Sequence, residues 1–299
     1  MKVAITGSSG MIGSAVSHAL RARGDEVVRM LRPGSRGEGI YWDPGTGQID
    51  RDGLNGIHAV VHLAGESIAA VWTPARKRRI LDSRVKGTSL LATTLASLPS
   101  PPAVLVSVSG INYYGNRPAG EPIDESATKG TGFLADVVDQ WEQAASPAGQ
   151  AGVRVVHPRF GLVLAKESLA LKLALPVFYA GLGGKLGSGR QIWSWVSVDD
   201  VVGSVLFLID HPLQGPVNVV APNPVSNAEF TRVLAEVMHR PAFISVPEFA
   251  LRLGGDVVDE LILAGARVVP RKLLESGYRF RHPELRPALQ AVLAGEVGS

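Results

Sequence analysis

The sequence contains no cysteine. Disulfides, thiolate metal sites and cysteine nucleophiles are thereby excluded, and nothing follows about compartment. Its seven histidines are scattered, with no H-E-x-x-H and no carboxylate cluster at metal-ligand spacing, so no metal is expected. No G-x-S-x-G elbow occurs, which sets serine hydrolysis aside. No apolar run is long enough to span a bilayer. The opening MKVAITGSSG enters a short apolar strand without the features of a secretory leader. A cytoplasmic protein with no membrane partner is expected. Charge of one sign is also scarce, with 30 basic against 27 acidic side chains. The small basic excess mildly favours anionic ligands and does not imply nucleic acid.

What is present is a globular balance: 299 residues, 45% apolar and 19% charged. That suffices for one large α/β unit, or for such a unit with a smaller lobe. Short apolar runs at Lys2–Thr6, Asp25–Arg32, Ile57–Gly65, Pro102–Gly110 and Val153–Leu164 read as strands. Helical spacing marks Met11–Gly24, Pro74–Leu98 and Phe133–Ala145 between them. Strands rich in Val, Ile and Leu separated by helices predict an α/β fold with a doubly wound, Rossmann-type parallel sheet. After residue 164 the texture changes to glycine-rich and helical segments. The expected division is a cofactor-binding domain over 1–164, with elements near 196–220 returning to it. A smaller, mostly helical, substrate-binding lobe then covers 165–299.

TGSSGMIGS places Gly7, Gly10 and Gly13 between the first strand and the first helix. Gly7 permits the tight turn, Gly10 lets a pyrophosphate approach the backbone, and Gly13 lets helix and strand pack closely. The helix N-terminus offers free N–H groups to phosphates. This context points to a dinucleotide. The second strand exits through RMLRPG, so Arg29 and Arg32 stand where an acidic residue would bind a ribose hydroxyl. A guanidinium there pairs with a 2′-phosphate, so NADP(H) is the expected cofactor.

Ligands of doubly wound sheets bind beyond the C-terminal ends of the strands. That selects Leu63, Ala64 and Gly65, then Ser107–Gly110, then His157, Pro158 and Arg159. His62 and His157 read as packed, hydrogen-bonded strand residues, because no carboxylate stands at triad-like spacing. Arg76, Lys77, Arg78 and Arg79 point around a helix and read as a solvated run. Arg84 lies among apolar positions and can reach inward to the cofactor.

Several motifs together carry a resemblance: TGSSGMIG, HLAGESI, SRVKGT, SVSGINYYG, FLADVVDQWE, GLGGKLGSGRQIWSWVSVDD, NPVSNAEF and RVVPRKLLESGYRF. Over nearly its whole length the chain resembles an atypical extended short-chain dehydrogenase/reductase of the "epimerase family protein" subgroup. The resemblance implies an NADP(H)-binding Rossmann domain and a C-terminal lobe that closes a cleft. It maps cofactor contacts onto Gly7, Ser9, Gly10, Met11, Ile12, Leu31, Arg32, Leu63, Ala64, Arg84 and the stretch around Pro158.

Members of that superfamily use a Tyr-x-x-x-Lys pair as proton shuttle. Here the five tyrosines, 41, 113, 114, 179 and 278, are followed four residues later by Gly45, Arg117, Pro118, Gly183 and His282. Phe133 and Val137 stand where the pair is expected, on a helix whose apolar face reads as core. Ser109, Tyr113 and Tyr114 remain as candidate proton donors or orienting groups. Lys185, Arg190, Gln191, Trp193, Ser194 and Trp195 form a second loaded loop, fit either to clamp a substrate or to pack the lobe. Asp199 and Asp200 read as helix caps. The expected activity is that of an NADP-dependent oxidoreductase on a small organic molecule, as monomer or homodimer. The alternative is a cofactor-bound regulatory or interaction protein, concerned with redox sensing or cell division.

Overall fold

A computed structural model of the chain describes residues 1–117 and 120–295. Pro118 and the last four residues of the expected substrate lobe lie outside them. In chain order the strands are β1 (Lys2–Thr6), β2 (Glu26–Leu31), β3 (Ile40–Asp43), β4 (Gln48–Ile49), β5 (Ala59–His62), β6 (Val104–Ser107), β7 (Ser109–Gly110), β8 (Arg154–Phe160), β9 (Leu162–Leu164), β10 (Ile192–Trp193), β11 (Trp195–Ser197), β12 (Gly215–Val219) and β13 (Val225–Ser226). The helices are α1 (Met11–Ala22), α2 (Pro74–Ala96), α3 (Phe133–Gln143), α4 (Ser146–Gln150), α5 (Leu169–Tyr179), α6 (Val198–Asp210), α7 (Asn227–Met238), α8 (Glu248–Leu251), α9 (Asp256–Val258), α10 (Arg271–Glu275) and α11 (Leu285–Ala294).

The main sheet runs β12-β8-β6-β5-β1-β2-β3-β4. All neighbours are parallel except the β3–β4 edge pair. The chain winds outward in both directions from β1, so β1 and β5 flank the switch point where ligands of such sheets bind. Alternation decides the two faces. Val3, Ile5, Val61 and Val106 pack with Val16 and Leu20 of α1 and with Val201 and Val205 of α6. Ala4, Val60 and Leu105 pack on the other face with Leu91 and Leu95 of α2 and Ala148 of α4.

The single apolar run expected over Val153–Leu164 is divided. β8 belongs to the main sheet, whereas β9 pairs with β11 in a separate two-stranded ribbon. Gly161 makes the turn between them. A Cβ there would lie 2.4 Å from Ser194 O and 2.7 Å from Val220 Cγ1. The second core of the molecule begins at this turn. Leu164, Leu171, Leu175, Trp195, Phe230, Leu234 and Leu289 build it from β9, β11, α5, α7 and α11. Strand β12 leaves this lobe and forms the edge of the main sheet against β8.

Gly161→Ala is expected to cost about 1–3 kcal/mol by overpacking this turn. Urea denaturation, read as a lower midpoint at unchanged slope, checks it.

Candidate cofactor and substrate site

Gly7 adopts φ 68°, and a Cβ there would lie 3.0 Å from Leu63 C. The first glycine therefore lies directly against the end of β5. At Gly13 a Cβ would stand 2.1 Å from Gly7 O, so α1 can start this close to β1 only without a side chain. Gly10 is the N-cap of α1 and provides no side-chain acceptor. The N–H groups of Met11, Ile12 and Gly13, in the first turn, have no capping side chain, which leaves them to an anion. Ser9 is exposed in the same loop.

Thr6 locks this loop to its neighbour. Its Oγ1 accepts from the N–H groups of Leu63 (3.1 Å) and Ala64 (3.2 Å). With both lone pairs engaged, its own proton points to His62 Nδ1 at 2.7 Å. His62 is therefore the Nε2–H tautomer, and it donates to Thr88 Oγ1 at 3.0 Å. Thr88 also accepts from Trp141 Nε1, at 2.9 Å. His62 is wholly buried, and desolvation pushes its pKa down to about 4. It holds β1, β5, α2 and α3 together as a neutral ring.

At the exit of β2 the two arginines part. Arg29 turns toward the glycine loop, with Nε 3.3 Å from Ser8 Oγ. Arg32 is exposed, next to the half-buried Leu31. The Arg84 guanidinium lies over Gly65, where a Cβ would be 3.3 Å from Cζ. It donates to Glu66 O at 2.9 Å and sits 4.9 Å from the Trp141 ring centroid. Burial lowers its pKa to about 10. Of the run 76–79, Arg76 pairs with Glu66 at 2.6 Å and Lys77 with Asp256 at 2.6 Å, while Arg78 and Arg79 are exposed.

At the end of β6 the ladder breaks. It runs to Val106↔Val156 and resumes at Ser109↔Arg159 in β7. Pro158, which has no N–H, lies opposite the gap. It is paired with Val217 inside β8. The strand continues to Phe160, so the expected exit at His157–Arg159 is corrected to Phe160–Gly161. His157 is buried, with Nδ1 donating to Ser107 O at 3.3 Å.

Ser109 donates to Glu142 Oε1 at 2.5 Å. Arg159, only 2% exposed, grips the same carboxylate through Nε (2.8 Å) and Nη2 (2.7 Å). Its Nη1 donates to Tyr114 Oη at 2.9 Å, and that hydroxyl donates to Asn218 Oδ1 at 2.8 Å. Tyr114 is fully buried, and burial raises its pKa. As a proton donor to substrate it is corrected: both sides of its oxygen are engaged in the interior. Ser109 is likewise turned away, toward Glu142. Tyr113 differs. It is half-buried, its ring lies under Arg159 with the guanidinium 3.6 Å from the centroid, and its hydroxyl has no partner among the described residues.

Residues 3–133 match the NAD dependent epimerase/dehydratase family, and residues 246–292 match a domain of unknown function, DUF1731. An epimerase family protein of Mycobacterium bovis is 41% identical over 96% of each chain. The chain belongs to the NAD dependent epimerase/dehydratase family. The human epimerase family protein SDR39U1 is 33% identical over 98% of this chain and 100% of its own. Its structure, solved with NADPH, superposes with a TM-score of 0.89 at 32% identity, covering 98% of this chain and 99% of that one. The UDP-glucose 4-epimerase of Thermus thermophilus shares the fold, with a TM-score of 0.76 at 22% identity over the full length of both.

Within this family frame, α3 carries Phe133 half-buried against Trp72, ring centroids 5.1 Å apart, and Val137 in the core. The second loaded loop is largely internal. Trp195 is buried and donates to Asn223 O at 3.1 Å, while Trp193 packs on Phe230. Ser194 Oγ donates to Ala266 O at 2.8 Å, and Gln191 Nε2 reaches Leu186 O at 3.0 Å and Ile262 O at 3.3 Å. Arg190 and Lys185 are both exposed. The cap of α6 is Ser197, whose Oγ accepts from Asp200 N at 3.1 Å. The Asp200 carboxylate instead accepts from the N–H groups of Arg281 (2.7 Å) and His282 (3.0 Å). Thr6, Thr88, Glu142 and Asn218 are the site residues that sequence reasoning did not select. Each meets its partner only across the fold. Among the described residues no helix is long and apolar enough to cross a membrane, and no acidic or histidine cluster could hold a metal.

Two predictions follow from these networks. His62 titrates near 6.5 when exposed and near 4 when folded. Between those values the unfolded chain binds more protons, so stability is full above pH 6.5 and falls by about 3 kcal/mol as pH drops to 4. Burial of His157 acts in the same direction. Denaturation curves at pH 7, 5 and 4 should show this fall, and His62→Gln should flatten it. Glu142→Gln leaves Arg159 buried without its counter-charge, for an expected loss of about 3–5 kcal/mol measured the same way.

Proposed function

We propose that this chain is an NADP(H)-dependent oxidoreductase of the extended short-chain dehydrogenase/reductase type, acting on a small organic substrate between the sheet and the C-terminal lobe. One observation carries the reading: the uncapped glycine cradle at the switch point, in a chain alike over its whole length to a protein solved with NADPH. Gly7, Ser9, Gly10, Met11, Ile12 and Gly13 would hold the pyrophosphate on backbone N–H groups. Arg29 and Arg32 would hold the 2′-phosphate, and Leu31 would bound the adenine side. Leu63, Ala64 and Gly65 would line the cofactor with small or apolar surface, with Arg84 behind them. NADP(H), when bound, supplies or accepts the hydride.

Tyr113 would move the accompanying proton. Its hydroxyl has no partner among the described residues, and the Arg159 cation against its ring favours the phenolate left after donation. Arg159 holds that position through Glu142, Tyr114 and the Ser109 hydroxyl. The second reading, a cofactor-bound regulatory or interaction protein, is favoured by the absence of any Tyr-x-x-x-Lys in the sequence.

NADPH is expected to bind at least about tenfold tighter than NADH, and Arg29→Ala with Arg32→Ala should remove most of that difference. Fluorescence titration of both nucleotides measures it. In a screen of carbonyl compounds followed by NADPH oxidation, Tyr113→Phe should lower turnover about 10²–10⁴-fold at unchanged NADPH affinity. Tight NADPH binding with no oxidation by any compound would favour the second reading. That reading in turn requires NADPH and NADP⁺ to differ in their effect on a partner's affinity.

A further inference from the structure

Helix α3 lacks a cap of its own. Its N-cap is Gly132, at φ 121°, with no side chain to accept the first N–H groups. The C-terminal module supplies one. Glu260 Oε1 accepts from Phe133 N and Oε2 from Leu134 N, both at 2.8 Å. A Cβ on Gly132 would lie 3.2 Å from the Glu260 carboxyl carbon, so the glycine makes room for the carboxylate. Glu260 stands in a π-helical turn, Asp259–Leu263, within the stretch matched by DUF1731. Around it Val257 and Leu261 pack on Trp72, Ile80, Leu134 and Val137. Lys77 reaches Asp256 at 2.6 Å and lies 5.2 Å over the Phe133 ring.

The capped end is next to the Tyr113 turn. Gly130 N donates to Tyr113 O at 2.9 Å, and a Cβ on Gly130 would lie 2.1 Å from Tyr114 O. The other end of the same helix carries Glu142, which holds Ser109 and Arg159. Both ends of α3 therefore bear on the hydroxyl-bearing end of the sheet. At the N-terminal end, the first N–H groups are satisfied from the C-terminal module.

We propose that the C-terminal module acts as a positioning clamp on the reacting end of the cleft: Glu260 caps α3 across the lobe boundary and thereby fixes the Tyr113 turn. A carboxylate at a helix N-terminus satisfies orphan N–H groups and complements the helix dipole. The position fits, since α3 has no local alternative. Glu260 is a positioning residue that acts through the Gly130–Phe133 backbone. The inference rests on the reading that Tyr113 marks the reacting end.

The test is residue-resolved hydrogen exchange on the full chain, with and without NADPH, for wild type, Glu260→Ala and the isosteric Glu260→Gln. Loss of a cap predicts about tenfold faster exchange at Phe133 and Leu134 in Glu260→Ala. Glu260→Gln, with one acceptor left, should fall between. Exchange at Tyr113–Gly115 should rise in the same order, while β1 and β5 amides stay at wild-type rates. The emission of bound NADPH, which reports the nicotinamide surroundings, should shift with it, at an affinity within about threefold of wild type, since the glycine cradle is untouched. Unchanged exchange at Phe133 and Leu134 would overturn the proposal. So would faster exchange there with Tyr113–Gly115 and the NADPH emission unmoved, because the cap would then be local. Absence of NADPH turnover in the wild type counts against the oxidoreductase reading and leaves these measurements interpretable.

Discussion

The pair of buried Arg159 and partly buried Glu142 is the interaction around which the end of the sheet bearing Ser109, Tyr113 and Tyr114 is arranged. Two charges removed from water cost several kcal/mol each unless every donor and lone pair is matched. The matching here recruits five elements. Glu142 comes from α3, Arg159 from β8, Ser109 from β7, Tyr114 from the turn that follows, and Asn218 from β12. Each polar partner is held by the need to satisfy the pair. The turn carrying Tyr113 and Tyr114 is thus tied to the pair through the Tyr114 hydroxyl.

This explains a division of labour among three hydroxyls that look equivalent in SVSGINYYG. Ser109 and Tyr114 point inward and complete the network. Tyr113 offers its ring face to the guanidinium, and its hydroxyl has no partner among the described residues. A second network, Thr6–His62–Thr88–Trp141, does the same under the glycine cradle with neutral groups. The two networks meet on α3, which carries both Trp141 and Glu142. Its first N–H groups are bonded from the C-terminal module.

Much of the cofactor side was legible in the sequence. The spacing of Gly7, Gly10 and Gly13 reports a local steric requirement, because a strand, a tight turn and a helix start fall within a dozen residues. The βα alternation and the arginines at the exit of β2 are local for the same reason. His62 was readable as a packed histidine, since a strand flanked by Val60 and Val61 offers no water. The substrate side was less legible. Pro158 looked like the exit of a strand, but β8 continues past it, because the proline faces a gap between β6 and β7 where no N–H is needed.

The sequence by itself determined the fold class, the family resemblance, the glycine cradle and the absence of the usual tyrosine–lysine pair. All of these are encoded in residue type at short spacing. Only the tertiary structure decided which hydroxyls are engaged in the Arg159 network, where the apolar run over Val153–Leu164 divides, and what caps α3. Ser109 and Glu142 are 33 residues apart, Tyr114 and Asn218 are 104 apart, and Phe133 and Glu260 are 127 apart. Contacts over such separations arise from how the sheet order and the two lobes bring elements together, and no local pattern in the chain records them.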